Sequence, residues 1–149
     1  MATLTPTLTL NSANIFEDQP LNMTVSDSLT VQAPMTDISR MASNDNLGYG
    51  AGVIISELDT NTYFVYIKHL GKLASDGTTD ANATADFILL GNPDAGAESK
   101  LVKLQPGEFA FFPIQGNNDA TDDGAEVGGL KVFEGSASVQ VEYAYWKRS

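Results

Sequence analysis

Residues 100–113 read Lys100-Leu101-Val102-Lys103-Leu104-Gln105-Pro106-Gly107-Glu108-Phe109-Ala110-Phe111-Phe112-Pro113. Two runs of β-forming residues flank a Pro-Gly pair. Pro106 holds φ near the value needed at the second position of a tight turn. Gly107 supplies the positive φ that the third position of a type II turn requires. A strand, a turn and a second strand are therefore expected here, as a β-hairpin. The same pattern runs from end to end. Thr, Val, Ile, Tyr and Phe are common, Gly, Asn and Asp interrupt at short intervals, and helical periodicity is hard to find. A chain punctuated this often is expected to build a sandwich or a barrel.

A walk along the chain places the strands. Residues 3–10 alternate Thr with Leu and read as a first strand or an extended arm, and the polar residues 11–20, ending in Pro20, read as a loop. Leu21, Met23 and Val25 alternate with polar neighbours as in a half-buried strand. Leu29 and Val31 follow a turn at Ser26-Asp27-Ser28. Residues 35–46 fit one helical turn or a short strand. Val53-Ile54-Ile55 reads as a strand. Tyr63-Phe64-Val65-Tyr66-Ile67 is apolar on both faces and is expected at the centre of a sheet. Residues 71–84 form a polar loop, and residues 85–90 a strand. Residues 92–96 make a turn, 116–129 a long acidic loop, and 130–133 a strand. The last strand, residues 139–146, sets Val139, Val141, Tyr143 and Tyr145 on one face. The expected fold is all-β: a single β-sandwich over residues 21–149, with the jelly roll as one form open to it, and an extended N-terminal arm over residues 1–20.

Composition narrows the function. At 149 residues and 42% hydrophobic, one domain of this size buries roughly 68–70% of the surface of its unfolded chain and needs no metal or disulfide staple. There is no cysteine, so thiol chemistry is excluded. The opening residues have neither a basic region nor a long apolar core and are not expected to act as a secretory signal. No apolar run approaches the ~20 residues of a membrane-spanning helix. Nineteen acidic against eight basic residues give a net charge of −11. That balance opposes nucleic-acid phosphate, where cationic groups supply the affinity, and it is repelled by anionic membranes. Neither nucleic acid nor membrane is an expected partner.

Reactive chemistry is sparse. The one histidine, His69, has no G-x-S-x-G elbow to serve, so a structural role is expected rather than a Ser-His-Asp triad. One His and no Cys do not make a zinc site. Gly48, Gly50 and Gly52 superficially resemble a phosphate loop, but a β-branched run follows them where a helix N-terminus would have to stand. Calcium at the 117–126 loop is the one ion considered. Aligned as an EF-hand on Gly124, that loop puts Thr121 at the third ligand position and Leu130 where the bidentate Glu belongs, so only a looser oxygen site is left. Acidic residues are plentiful enough for a glycosidase pair, yet most lie in loops without aromatic companions. Asn22-Met23-Thr24 and Asn82-Ala83-Thr84 match the glycosylation sequon, which has meaning only on a secreted chain. No cofactor and no enzyme activity are expected.

Four segments resemble virion proteins of tailed bacteriophages, those of cyanophages and other marine phages in particular. They are Leu8-Thr9-Leu10-Asn11-Ser12 with residues 21–31; Tyr63 through Leu70; Ile88-Leu89-Leu90-Gly91 with Leu104 and residues 106–113; and Val139 with residues 141–146. In this order they are similar to the small β-sandwich proteins that decorate or cement phage capsids. The resemblance implies a structural protein on the outer capsid surface of a virion. Its partners would be the major capsid protein and copies of itself, as a homotrimer. It brings no catalytic residues. It implies interface roles for Leu8, Leu10, Phe16, Phe112, Tyr145 and Trp146. The alternatives are a tail or fibre component, or a module that binds host glycan through its end loops. The glycan reading needs exposed aromatics that residues 71–84 and 116–129 do not contain.

Overall fold

In a computed structural model of the chain, residues 1–16, 19–32, 38–43, 52–55, 61–91, 100–115 and 129–149 are described. Among them none is helical. The strands are β1 (Ala2–Leu4), β2 (Thr7–Phe16), β3 (Gln19–Ser26), β4 (Leu29–Val31), β5 (Ser39–Ala42), β6 (Val53–Ile55), β7 (Thr62–Leu73), β8 (Ile88–Gly91), β9 (Lys100–Leu104), β10 (Phe109–Gln115), β11 (Leu130–Glu134) and β12 (Val139–Lys147).

Two four-stranded sheets form the body, in the orders β10-β7-β12-β5 and β6-β11-β8-β9. All their pairings are antiparallel. They pack as two layers of a β-sandwich. Tyr63, Val65, Ile67, Val139 and Val141 of the first sheet meet Ile54, Ile55, Ile88, Leu90, Leu104, Leu130 and Val132 of the second in one core. The run from Tyr63 is central, as its two-sided apolar character requires: β7 has β10 on one side and β12 on the other.

The Pro106-Gly107 turn is present. Gly107 has φ +89°, and the Glu108 amide donates to the Gln105 carbonyl at 2.9 Å. The expected hairpin is not. β9 pairs with β8 in one sheet, and β10 pairs with β7 in the other. The turn carries the chain from one layer of the sandwich to the other. Strand-type residues on both sides of a tight turn look the same whether the strands pair or separate.

Residues 11–20, expected as a loop, are largely strand. β2 pairs with β3 from Thr7↔Ser26 to Ser12↔Leu21, and again at Phe16↔Gln19. β1 pairs with β4 from Ala2↔Val31 to Leu4↔Leu29. Both registers sum to the same number, and the Asp27 amide donates to the Pro6 carbonyl between them. Residues 2–12 and 21–31 are therefore one continuous antiparallel ribbon. At about 3.4 Å per residue it is ~34 Å long. The ribbon is rooted on the end of β12. Val31 bridges Arg148, the Gln32 amide donates to the Lys147 carbonyl, and the Ser149 amide donates to the Thr30 carbonyl.

Candidate functional site

The ribbon sorts its side chains by strict alternation. Partners directly opposite on an antiparallel pair share a face. One face holds Leu4, Leu8 and Leu10 with their partners Leu29, Val25 and Met23. The other holds Thr3, Thr7, Thr9 and Asn11 with Thr30, Ser26, Thr24 and Asn22. Thr9 and Thr24 meet through their hydroxyls at 3.4 Å. A two-stranded ribbon with one apolar face ordinarily lays that face on a core. Here it does so only at its root, where Val31 is 2% exposed and Leu4 and Leu29 are half-buried. Further out Leu8, Leu10, Met23 and Val25 are 46%, 39%, 39% and 54% exposed. The polar face is exposed over the same stretch, so the ribbon stands clear of the body on both sides.

The second feature is the outer face of the sheet β10-β7-β12-β5. Register places Phe109 beside Lys68 and Glu142, Phe111 beside Tyr66 and Ala144, and Pro113 beside Phe64 and Trp146. The rings of Phe64 and Phe111 lie parallel with centroids 6.1 Å apart. The Arg148 guanidinium sits 5.2 Å from the centre of Phe64, a cation–π contact at the root of the ribbon. Tyr66 donates to Glu142 at 3.2 Å, and Arg40 approaches the same carboxylate at 3.9 Å. Burial, followed by the Glu142 carboxylate, raises the Tyr66 hydroxyl above its ordinary pKa. Phe109 is 60% exposed at the margin of this face.

The residues singled out by sequence divide between these surfaces and the core. Leu8 and Leu10 lie on the exposed stripe. Phe16 pairs with Gln19 near the far end of the ribbon. Trp146 is half-buried on the outer face, opposite Phe64. Tyr145 packs inward against the core, with its ring edge-on to Tyr63 at 5.4 Å. Phe112 also points inward, with Ala110 and Ile114, and its outward neighbours are Phe109, Phe111 and Pro113. Phe112 is thus on the core side of the sheet, and Phe109 is the exposed ring of this strand. Sequence reasoning read Met23 and Val25 as part of a half-buried strand and did not put Phe109 among the interface residues. The alternation of Leu21, Met23 and Val25 was there to be read, but it looks identical whether the apolar face meets the chain's own core or a neighbour.

No catalytic constellation forms among the described residues. His69 is buried, and its Nδ1 accepts the Gly71 amide proton at 2.9 Å. Nε2 must therefore carry the ring's proton, which it donates to the Asp86 carbonyl at 2.7 Å. Both nitrogens are engaged: Nε2 ties β7 to Asp86, and Nδ1 holds the Gly71 amide within β7. Asp76 gathers the Thr78 and Thr79 amides and the Thr79 hydroxyl, and these hydrogen bonds hold its carboxyl down at about 2. That is a loop tie. Among the described residues no three His, Cys, Asp or Glu side chains converge on a metal position. The 117–126 calcium loop, Gly48 and Gly50 lie outside the described residues. No family model, curated protein or solved structure matches the chain.

Proposed function

We propose that this chain is a non-enzymatic assembly protein: a β-sandwich that joins neighbouring subunits of a larger particle through its ribbon. One observation carries the reading, the exposed apolar stripe of Leu8, Leu10, Met23 and Val25. An isolated two-stranded ribbon is at best marginally stable in water. One that keeps its apolar side uncovered gains most of its support when that side is occupied.

Within this class the favoured role is a phage capsid decoration or cement protein, bound to the major capsid protein on the outer surface of the head. Three things support it. The first is the similarity of the four segments to such proteins. The second is the acidic balance, which suits a surface facing away from packaged DNA. The third is strand order. Counted from β5, the eight body strands run 6-3-8-1 and 2-7-4-5, an order that fits a jelly roll. Jelly rolls include viral capsid and lectin domains, so this third support is an argument from fold analogy. Repeated by symmetry, modest contacts add up through avidity. The lectin branch finds no aromatic residue in the described loop 74–84.

Localisation tests the reading. Virions of the phage encoding the chain should carry it at stoichiometric copy number, with density on the outer head surface by cryo-electron microscopy. Absence from purified virions would end the capsid proposal. Density on the tail would move the chain to the fibre alternative.

A further inference from the structure

At its root the ribbon's apolar row lies on the same side of the sheet as the aromatic face. Val31 lies directly opposite Arg148, and Arg148 covers Phe64 on the outer face. The matching registers of β1–β4 and β2–β3 carry the apolar row outward along the ribbon. The chain therefore presents the exposed stripe of Leu8, Leu10, Met23 and Val25 beside an outer face on which Phe109 is exposed, Phe111, Tyr66 and Trp146 are half-buried, and Phe64 and Ala144 are buried.

We propose that the occupant of the stripe is a second copy of this chain, in a two-fold pair. Each ribbon lies across the outer face of the partner's sheet β10-β7-β12-β5, with the stripe against Phe109 and Phe111. This rests on the reading of the ribbon as an assembly element and names what it grips. The two-fold arrangement replaces the homotrimer implied by resemblance.

Three arguments select this occupant. The first is area. The exposed parts of Leu8, Leu10, Met23 and Val25 together offer on the order of 300 Å². Two ribbons stacked only on each other would bury ~600 Å², below the ~1,200 Å² at which specific interfaces begin. Reciprocal exchange buries two ribbon faces and two sheet faces, ~1,200 Å². The second is charge. Each chain carries −11, but residues 2–16 and 19–26 contain no charged side chain. The ribbon is where two such acidic molecules touch with least repulsion, whereas a cationic partner would select the acidic surface. The third is symmetry. A two-fold contact needs one self-complementary patch on one side of the molecule, and the register supplies it.

The chain has no cysteine, so introduced thiols report the contact directly. Chains bearing Leu10→Cys and chains bearing Phe109→Cys, mixed in equal amounts and oxidised, should give chiefly mixed disulfide dimers. Light scattering of the wild-type chain should give twice the chain mass. Phe109→Glu should raise the dissociation constant at least tenfold with an unchanged circular dichroism spectrum, and Phe109→Leu should restore pairing. A monomeric wild type, a trimer, or disulfides only between two Leu10→Cys chains would each overturn the proposal. The outcomes separate this inference from the function it rests on. A virion protein that is monomeric in solution fails only the pairing, and a two-fold pair absent from virions fails only the capsid role.

Discussion

At the scale of single residues, backbone geometry decides more than side-chain chemistry. Gly107 was legible in advance, because a turn that needs positive φ selects glycine, and its φ is +89°. Nothing lies within 4 Å of the Cβ a larger residue would add there, so the cost of replacing it is backbone strain alone. Gly135 has the opposite problem, and no sequence signal announced it. Its amide donates to the Phe87 carbonyl at 2.9 Å, and a Cβ would stand 2.5 Å from the Ala85 carbonyl oxygen and 3.1 Å from that of Phe87. Both obstacles are main chain and cannot swing aside. Gly135→Ala is expected to cost about 1–3 kcal/mol, as overpacking does, and a thermal melt should fall by several degrees. An unchanged melt would mean that residues 85–87 yield freely. His69 could be recognised as structural from its isolation, but its partner Asp86 could not be read, because that residue is brought to it only by the segment between β7 and β8. Asp76 sets a pH limit on that same turn. Its hydrogen bonds favour the carboxylate, and its pKa of about 2 lies below the ordinary 3.8. A depressed carboxylate stabilises the fold above its unfolded pKa and loses that contribution as pH falls through its folded one. The tie should therefore be intact at pH 5 and released between about pH 4 and pH 2. Carboxyl titration by NMR measures this, and a midpoint near 3.8 would refute the assignment of the Thr78 and Thr79 contacts.

At the scale of elements, alternation was readable, and what each face meets was not. Phe109-Ala110-Phe111-Phe112 fixes two faces by the period of the strand. Which is inner depends on β7, whose own two faces are both apolar, so the sequence carried no vote. The structure turns Ala110, Phe112 and Ile114 inward and leaves Phe109 out. Phe112→Glu should therefore place a carboxylate against the core beside Val65, at a cost of several kcal/mol, and yield an unfolded or severely destabilised chain. Phe109→Glu, measured at concentrations where the chain is monomeric, should stay within about 0.5 kcal/mol of wild type. Urea melts of the two proteins check the assignment, and equal stabilities would reverse the faces. The Pro-Gly turn teaches the same lesson. Its geometry is local and was read correctly, but the pairing of β9 with β8 and of β10 with β7 is settled by strands distant in sequence. For residues 11–20, polar content outweighed the Thr-Leu alternation before them. A ribbon exposed on both sides needs no apolar majority to remain extended, so composition misdirected the reading there.

At the scale of the whole molecule, the eight-stranded body and the ribbon answer to different demands. The body has a core shared by both sheets. Among the described residues the ribbon joins that body at its root, through Val31 and the hydrogen bonds to Lys147 and from Ser149. If this division holds, the outer part of the ribbon is removable. The register shows where to cut. The Asp27 amide already donates to the Pro6 carbonyl, which is the bond that closes a two-residue turn. Replacing residues 7–26 by Asn-Gly joins Pro6 to Asp27 through the pair best suited to a type I′ turn, and leaves β1, β4 and Val31 in place. Leu8, Leu10, Met23 and Val25, which are lost, are already exposed, so little of their burial is forfeited. At dilutions where the wild type is monomeric, the shortened chain should melt within about 2 °C of it, since changes away from buried features shift stability by only ~0.5 kcal/mol. At higher concentration the two should part. Mass action raises the melting temperature of an associating protein with its concentration, so the wild-type melt should climb while the shortened chain's stays flat. Parallel flat melts would show that the stripe holds no second copy. A shortened chain that fails to fold when dilute would show that the ribbon serves the body after all, and that its exposure is not the mark of an assembly device.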